Sequence, residues 1–191
     1  MTAPIQIRVE PNSLKGFRGY RKSLRVLPAQ INRAQRRAIT KTLRWGGSFI
    51  GRTVAIQTGI PLKLITKGSG KREATRLRYD FPKRRETSGS VWIGANPVKA
   101  SYVGKLLQRE DERGARAGKF YFDRAFIARL KSGHIGIFKR VGKKRLPIKE
   151  EAVNLQGVTP TVTAVQRFIP ARYDKTFDQE FNFEVNVRGR R

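Results

Sequence analysis

The feature that most constrains this chain is an apolar stripe between residues 28 and 57. Ile31, Ala34, Ala38, Ile39, Leu43, Trp45, Phe49, Ile50 and Val54 recur at steps of three and four, the period of an α-helix. The opposite face carries Arg33, Arg36, Arg37, Lys41, Arg44 and Arg52. Pro28 stands at the start, where its missing N–H is no loss, and Thr58-Gly59 with Pro61 beyond predicts the stop. A helix this long with one greasy side needs a second layer to cover it. Gly46, Gly47 and Gly51 each cost about 1 kcal/mol relative to alanine in a helix interior. They predict a kink or a close approach to a sheet.

Short strands are the candidates for that second layer. Residues 3–10 alternate Ile5, Ile7 and Val9 against Gln6, Arg8 and Glu10. Leu77, Tyr79 and Phe81 alternate with Arg76, Arg78 and Asp80, and Val91-Trp92-Ile93 is predicted to pair with them. Residues 126–148 alternate, turn on Gly142-Lys143-Lys144-Arg145 and alternate again. This reads as a β-hairpin with one greasy face (Ile135, Ile137, Val141) and one basic face. Phe120-Tyr121-Phe122 and Phe126-Ile127 lead into it. Residues 12–25 read as a loop or a frayed helix turn, 62–75 as an exposed loop or arm, and 97–118 as a mobile loop.

Near the end, Pro160 can start a short helix through Val162, Val165, Phe168 and Ile169, which Pro170 stops. Phe177, Phe181 and Val185 are spaced by four, as in a helix. Phe181, Phe183, Val185 and Val187 also alternate, as in a strand, so both readings stay open for 181–187. The pattern as a whole predicts an α+β fold: a long N-terminal helix packed on an antiparallel sheet, with extended basic loops and a C-terminal helical segment. It divides into an N-terminal strand and arm (1–25), an α+β domain (26–170) and a C-terminal segment (171–191).

Charge narrows the function. The chain has 42 Lys+Arg against 14 Asp+Glu, a formal net charge of +28 over 191 residues. Such self-repulsion calls for an anionic partner: nucleic acid, an acidic protein surface or anionic lipid. The excess is uneven, since residues 150–191 carry six charges of each sign. Three clusters stand out. Lys139, Arg140, Lys143, Lys144 and Arg145 lie within seven positions at the hairpin tip; Lys83, Arg84 and Arg85 adjoin in sequence; Arg33, Arg36 and Arg37 share the helix face. Lys and Arg at this density bind phosphates without reading sequence, and a solvated basic face is the plainer alternative. Tyr79, Phe81, Trp92, Phe120 and Phe122 sit on strand positions that predict core packing. Phe138 is the one candidate for base stacking beside the basic tip.

Catalytic chemistry finds little support. There is no cysteine and a single histidine, His134, so no transition-metal set forms and no Gly-x-Ser-x-Gly elbow accompanies a base. The runs Glu110-Asp111-Glu112 and Glu150-Glu151 lie beside Arg and Lys, which predicts solvated or ion-paired carboxylates. A nuclease reading would rest on Asp111 and Glu112. Gly142-Lys143-Lys144-Arg145 lacks the glycine spacing and the Ser/Thr of a phosphate loop. The expectation is a non-enzyme with no catalytic, cofactor-binding or metal-binding residues. No signal peptide or membrane-length apolar run is visible, which predicts a soluble protein made in a cytoplasm.

Several segments in order resemble a known family. Ile31-Asn32-Arg33-Ala34 is followed by Ala38-Ile39, then by Val54 through Pro61 and the basic Leu62-Lys63-Leu64-Ile65. Later come Phe126 through Leu130, Lys131-Ser132-Gly133-His134, and Phe138 through Ile148. Order, spacing, length and basicity resemble the minor tail protein Z family of lambda-like siphophages and prophages over roughly residues 28–170. The resemblance implies a virion structural protein that completes the head-proximal end of the tail. It implies partners in the tail terminator and other neck proteins, assembly as a ring, six-fold, around the channel, and contact with genomic DNA there. Composition alone favours the alternative, a general nucleic-acid-binding protein of ribosomal or chromatin type.

Overall fold

The computed structural model describes residues 5–9, 28–66, 76–84, 86–108, 113–155 and 157–187. The expected loop at 12–25, Arg85 and the Glu110-Asp111-Glu112 run lie outside them.

Strand β1 (Ile5–Val9) precedes helix α1 (Pro28–Thr58). The helix ends as its sequence predicts. Gly59 adopts φ +67°, the left-handed conformation favoured for glycine after a helix, and its N–H donates to the Ala55 carbonyl at 2.7 Å. Residues Leu62–Thr66 then form a short helix, α2, rather than a loop, because Leu64 and Ile65 are buried against α1. Strands β2 (Leu77–Asp80) and β3 (Gly89–Ile93) follow. They pair antiparallel with Leu77 opposite Ile93 and Tyr79 opposite Val91, and β1 takes the other edge of β3.

Helix α1 lies on this three-stranded sheet. Gly47 serves a close approach to that sheet: a Cβ there would run into the Tyr79 ring. From the sheet side, a Cβ on Gly89 would stand 2.8 Å from Leu43 Cδ1 and 2.9 Å from the Asp80 carbonyl oxygen. Gly89→Ala is therefore expected to lower stability by about 1–3 kcal/mol, the usual cost of overpacking, read from the urea midpoint.

Residues 97–118, expected as a mobile loop, are mostly ordered. They contain β4 (Val98–Lys99), a turn of helix α3 (Ala100–Val103), β5 (Leu106–Leu107) and β6 (Gly114–Ala117). Strand β6 pairs with β5 and with β7 (Phe120–Asp123), so Phe120-Tyr121-Phe122 belongs to a separate small sheet and not to the hairpin. The expected single hairpin is two. Strands β8 (Ala125–Arg129), β9 (Ile135–Arg140) and β10 (Ile148–Glu150) form a three-stranded sheet with β9 in the middle. The first turn carries Gly133 at φ +82°. A small alanine-rich core of Ala100, Ala115, Ala117, Ala125 and Ile137 lies between these elements. Strand β11 (Ala152–Val153) pairs with β4.

The C-terminal helix α4 (Val158–Asn182) continues past Pro170. Proline in a helix interior costs about 3 kcal/mol. Burying one large apolar side chain returns about 1.5–3 kcal/mol, and Tyr173, Phe177 and Phe181 beyond the proline are all buried. Residues 181–187 are helical: α4 passes into a π-helical turn, Phe183–Val187. Strand-like alternation fails there because Phe181 is buried while Phe183 and Val187 are exposed. Thr161 donates to Gln57 at one end of α4, and Arg33 meets Glu184 at the other, so α1 and α4 run antiparallel. The main core joins Ile39, Leu43 and Val54 of α1, Val91 and Ile93 of β3, and Val165, Ile169 and Phe177 of α4.

Candidate interaction site at the hairpin tip

Strand β9 begins in the small core and ends in water. Gly136, Ile137 and Phe138 are buried, whereas Lys139 and Arg140 are exposed, as is every residue from Val141 to Pro147. The ribbon therefore leaves the body after Phe138, and the greasy face is shorter than alternation predicts: Val141 and Leu146 are exposed, as is Ile135 at the start of β9. Phe138 is only 3% exposed, so it is core and not a stacking platform. All five tip cations, Lys139, Arg140, Lys143, Lys144 and Arg145, are exposed.

Three of them face an open groove of about 740 Å³, in which Lys139, Arg140 and Lys143 meet Arg113, Arg124 and Phe126. Arg113 comes from the start of β6 and Arg124 from the turn between β7 and β8. Arg124 holds a left-handed φ of 55°, uncommon for a residue with a Cβ. The Arg140 guanidinium lies over the Phe126 ring, 5.6 Å from its centre. The groove thus presents five cations around one aromatic wall. The acid seen to pair with one of them is Asp123, 3.3 Å from Arg124 and itself exposed, a contact worth little in water. Arg113 and Arg124 were not among the sequence candidates, because each stands alone in its own loop. The Asp123-Arg124 break between two strand-like runs was the available signal.

The helix-face cluster is built differently. Arg33 Nε lies 2.9 Å from Glu184 Oε2, and Arg37 Nη1 lies 2.8 Å from Glu184 Oε1. Lys41 pairs with Glu180, and the Arg37 guanidinium lies over Phe183. Arg33 and Arg37 therefore clamp the end of the chain's last helix onto α1, and part of their charge is neutralised within the fold. Arg36 lines the same cleft of about 350 Å³ with Arg44 and Pro82. Lys83 and Arg84, both exposed, follow Pro82 directly. The cleft is thus lined by the helix-face cluster, with Lys83 and Arg84 next to it in sequence, and the hairpin groove is lined by other residues.

His134 and Glu150 are tied into the fold. Glu150 on β10 accepts from Ser101 Oγ at 3.1 Å, lies 2.7 Å from His134 Nε2 and 3.1 Å from Lys99 Nζ. It ties the hairpin sheet to α3 and β4. Burial raises the Glu150 pKa, but hydrogen bonds to His134 and Lys99 outweigh it and hold the carboxyl below its ordinary value of 4.5. A depressed carboxyl contributes stability above its unfolded value and loses it as pH falls through the folded one. Glu150→Gln is expected to cost about 1 kcal/mol at neutral pH, and its deficit against wild type should shrink below about pH 4.5. Thermal melts across pH 3–7 check this window.

The comparisons with known proteins fit a surface built for contacts. The family model for Prophage minor tail protein Z (GPZ) matches residues 14–191. The chain belongs to this family. Relatives of this chain include a tail completion protein of Escherichia phage N15, 27% identical over 146 residues, covering 73% of this chain and 71% of that protein. No solved structure matches significantly. The match extends beyond residues 28–170, the span on which the sequence resemblance rested. As a minor tail protein Z member, the chain is a structural tail protein whose partners include other tail proteins. Among the described residues, no helix is long and apolar enough to cross a membrane.

Proposed function

We propose that this chain completes the head-proximal end of a phage tail. It joins the tail terminator and other neck proteins as a homo-oligomeric ring, with six copies as the expected number. The hairpin groove meets an anionic partner, either an acidic face of a neighbouring subunit or the phosphates of DNA in the channel. The protein acts by adhesion and electrostatics, without catalysis. One observation supports the tip over the helix cluster as the contact: among the described residues, the acid seen to pair with the five groove cations is the exposed Asp123, whereas Glu180 and Glu184 occupy Arg33, Arg37 and Lys41.

The test replaces the tip: Lys143→Ala, Lys144→Ala and Arg145→Ala together. All three side chains are exposed, so the melting temperature should stay within about 2 °C of wild type, as surface changes of this kind do. Infectious particles should fall at least tenfold. Normal particles from the triple variant would end the tip's role. The ribosomal or chromatin-type alternative predicts instead that the purified protein binds any duplex with a steep salt slope, independent of tails.

A further inference from the structure

Two helix faces stay uncovered by the rest of the described chain. On α1, Trp45, Phe49, Arg52 and Ile56 lie one above another at helical steps, and on α4 so do Ala164, Phe168, Ala171, Arg172 and Lys175. Sequence periodicity assigns Trp45 and Phe49 to the core stripe. The fold agrees for Trp45, which is half-buried against the main core, but not for Phe49, which is 46% exposed; Phe168 is 60% and Ile56 82% exposed. The two stripes join. The Arg172 guanidinium lies over the Trp45 ring, 5.5 Å from its centre, and the Trp45 and Phe49 ring centres are 5.8 Å apart. Between the stripes the helices touch: a Cβ on Gly46 would stand 3.4 Å from Ile169 Cδ1.

Large apolar side chains gathered in one exposed place mark interaction sites, whereas scattered ones do not. Between Trp45 and Ile56 and between Ala164 and Lys175 the charged residues of these stripes are cations, Arg52, Arg172 and Lys175; the acid Asp178 lies one helical step beyond. A second copy of the same face would set cation against cation, a costly pairing. A helix lying in a membrane surface keeps its cations on the polar side, yet Arg52 stands between Phe49 and Ile56, and Arg172 covers Trp45. The geometry points to a docking surface for an acidic protein partner. An apolar side chain of that partner seats between Phe49 and Phe168, and its carboxylates meet Arg52 and Arg172, the forked donors best suited to them. The surface is separate from the hairpin groove and rests on the tail assignment for where its partner is found.

The probe is a preparation of tails purified from infections that lack this protein. Wild-type protein added back should sediment with them. The pair Phe49→Ser and Phe168→Ser should reduce sedimentation at least tenfold with an unchanged circular dichroism spectrum, and so should Arg52→Glu with Arg172→Glu. If the serine pair fails to fold, the charge-reversal pair decides alone. Phe49→p-benzoylphenylalanine should cross-link to an acidic segment of a tail protein. Wild-type binding by a folded variant pair overturns the surface, as does a cross-link to a second copy of this chain. Phe49-dependent sedimentation with phosphatidylglycerol vesicles overturns it in favour of a membrane. Failure of the wild-type protein itself to sediment overturns the tail assignment, and is seen before any variant is compared.

Discussion

Phe177→Ala is expected to lower stability by about 3–5 kcal/mol, the cost of removing a large aromatic from a packed core. Phe177 is 4% exposed. It is stacked between Tyr173, at 5.9 Å, and Phe181, at 5.7 Å. The three rings form a column on one face of α4, and all three belong to the main core. Removing the middle ring leaves a cavity that neither neighbour can close without leaving its own contacts. For a domain of this size the loss corresponds to a fall in melting temperature of about 6–20 °C. The companion variant Tyr173→Phe should be neutral or stabilise by up to about 1 kcal/mol. The Tyr173 hydroxyl is buried with no hydrogen-bond partner among the described residues, and burial pushes its phenol pKa upward. Deleting a buried, unsatisfied hydroxyl removes a desolvation penalty. A Phe177→Ala loss below 1 kcal/mol would mean that α4 does not pack as described beyond Pro170.

Arg33→Ala with Arg37→Ala is expected to cost about 2–4 kcal/mol. The Glu184 side chain is fully buried, and the double change takes away two guanidinium partners at 2.9 and 2.8 Å. Breaking a buried pair from one side costs about 3–5 kcal/mol. The figure is lowered here because the two arginine side chains are 40% and 37% exposed, where water screens part of the interaction. The converse change, Glu184→Gln, should cost less, because both arginines already reach water. Urea unfolding of the three variants orders these losses, and a double-alanine variant as stable as wild type would refute the clamp. Loss of tail function in that variant would follow from instability alone, so the tip triple variant is the cleaner probe of an anionic contact.

The parts of the fold legible in the sequence were those with an uninterrupted period. Helix α1 was readable to within a residue because nine apolar positions keep step and Gly59-Pro61 ends them. Strands β2 and β3 were readable because Leu77, Tyr79 and Val91 alternate cleanly. Segment 97–118 was not: β6 buries Ala115 and Ala117, small residues with little strand preference, so its hydrophobic signal is weak. The first hairpin turn was hidden because the basic cluster drew attention to residues 142–145, while Ser132-Gly133 carried the sharper turn chemistry. At α4, the proline signal is local and the aromatic column is tertiary, and the tertiary term is larger. The candidate site shows the same division. The tip cations are contiguous in sequence and were found, whereas Arg113 and Arg124 join them only through the pairing of β6 with β7 and the turn into β8. The carboxylates that occupy Arg33 and Arg37 come from residues 180 and 184, a separation no local pattern reveals.

The meeting of the first and last elements has a consequence for biosynthesis. Strand β1 touches α4, and α4 supplies much of the cover for α1. Contacts that span most of a chain form late and slow the search for the native state. A nascent chain emerging from the ribosome carries the α1 stripe long before residues 158–187 exist to cover it. Until then that stripe is a sticky surface on a highly cationic polypeptide, the kind of species prone to mispairing. Synthesis of residues 158–187 is thus the step that makes the core whole, so a copy that stops before them lacks the cover needed to fold and to compete for a place in the assembly.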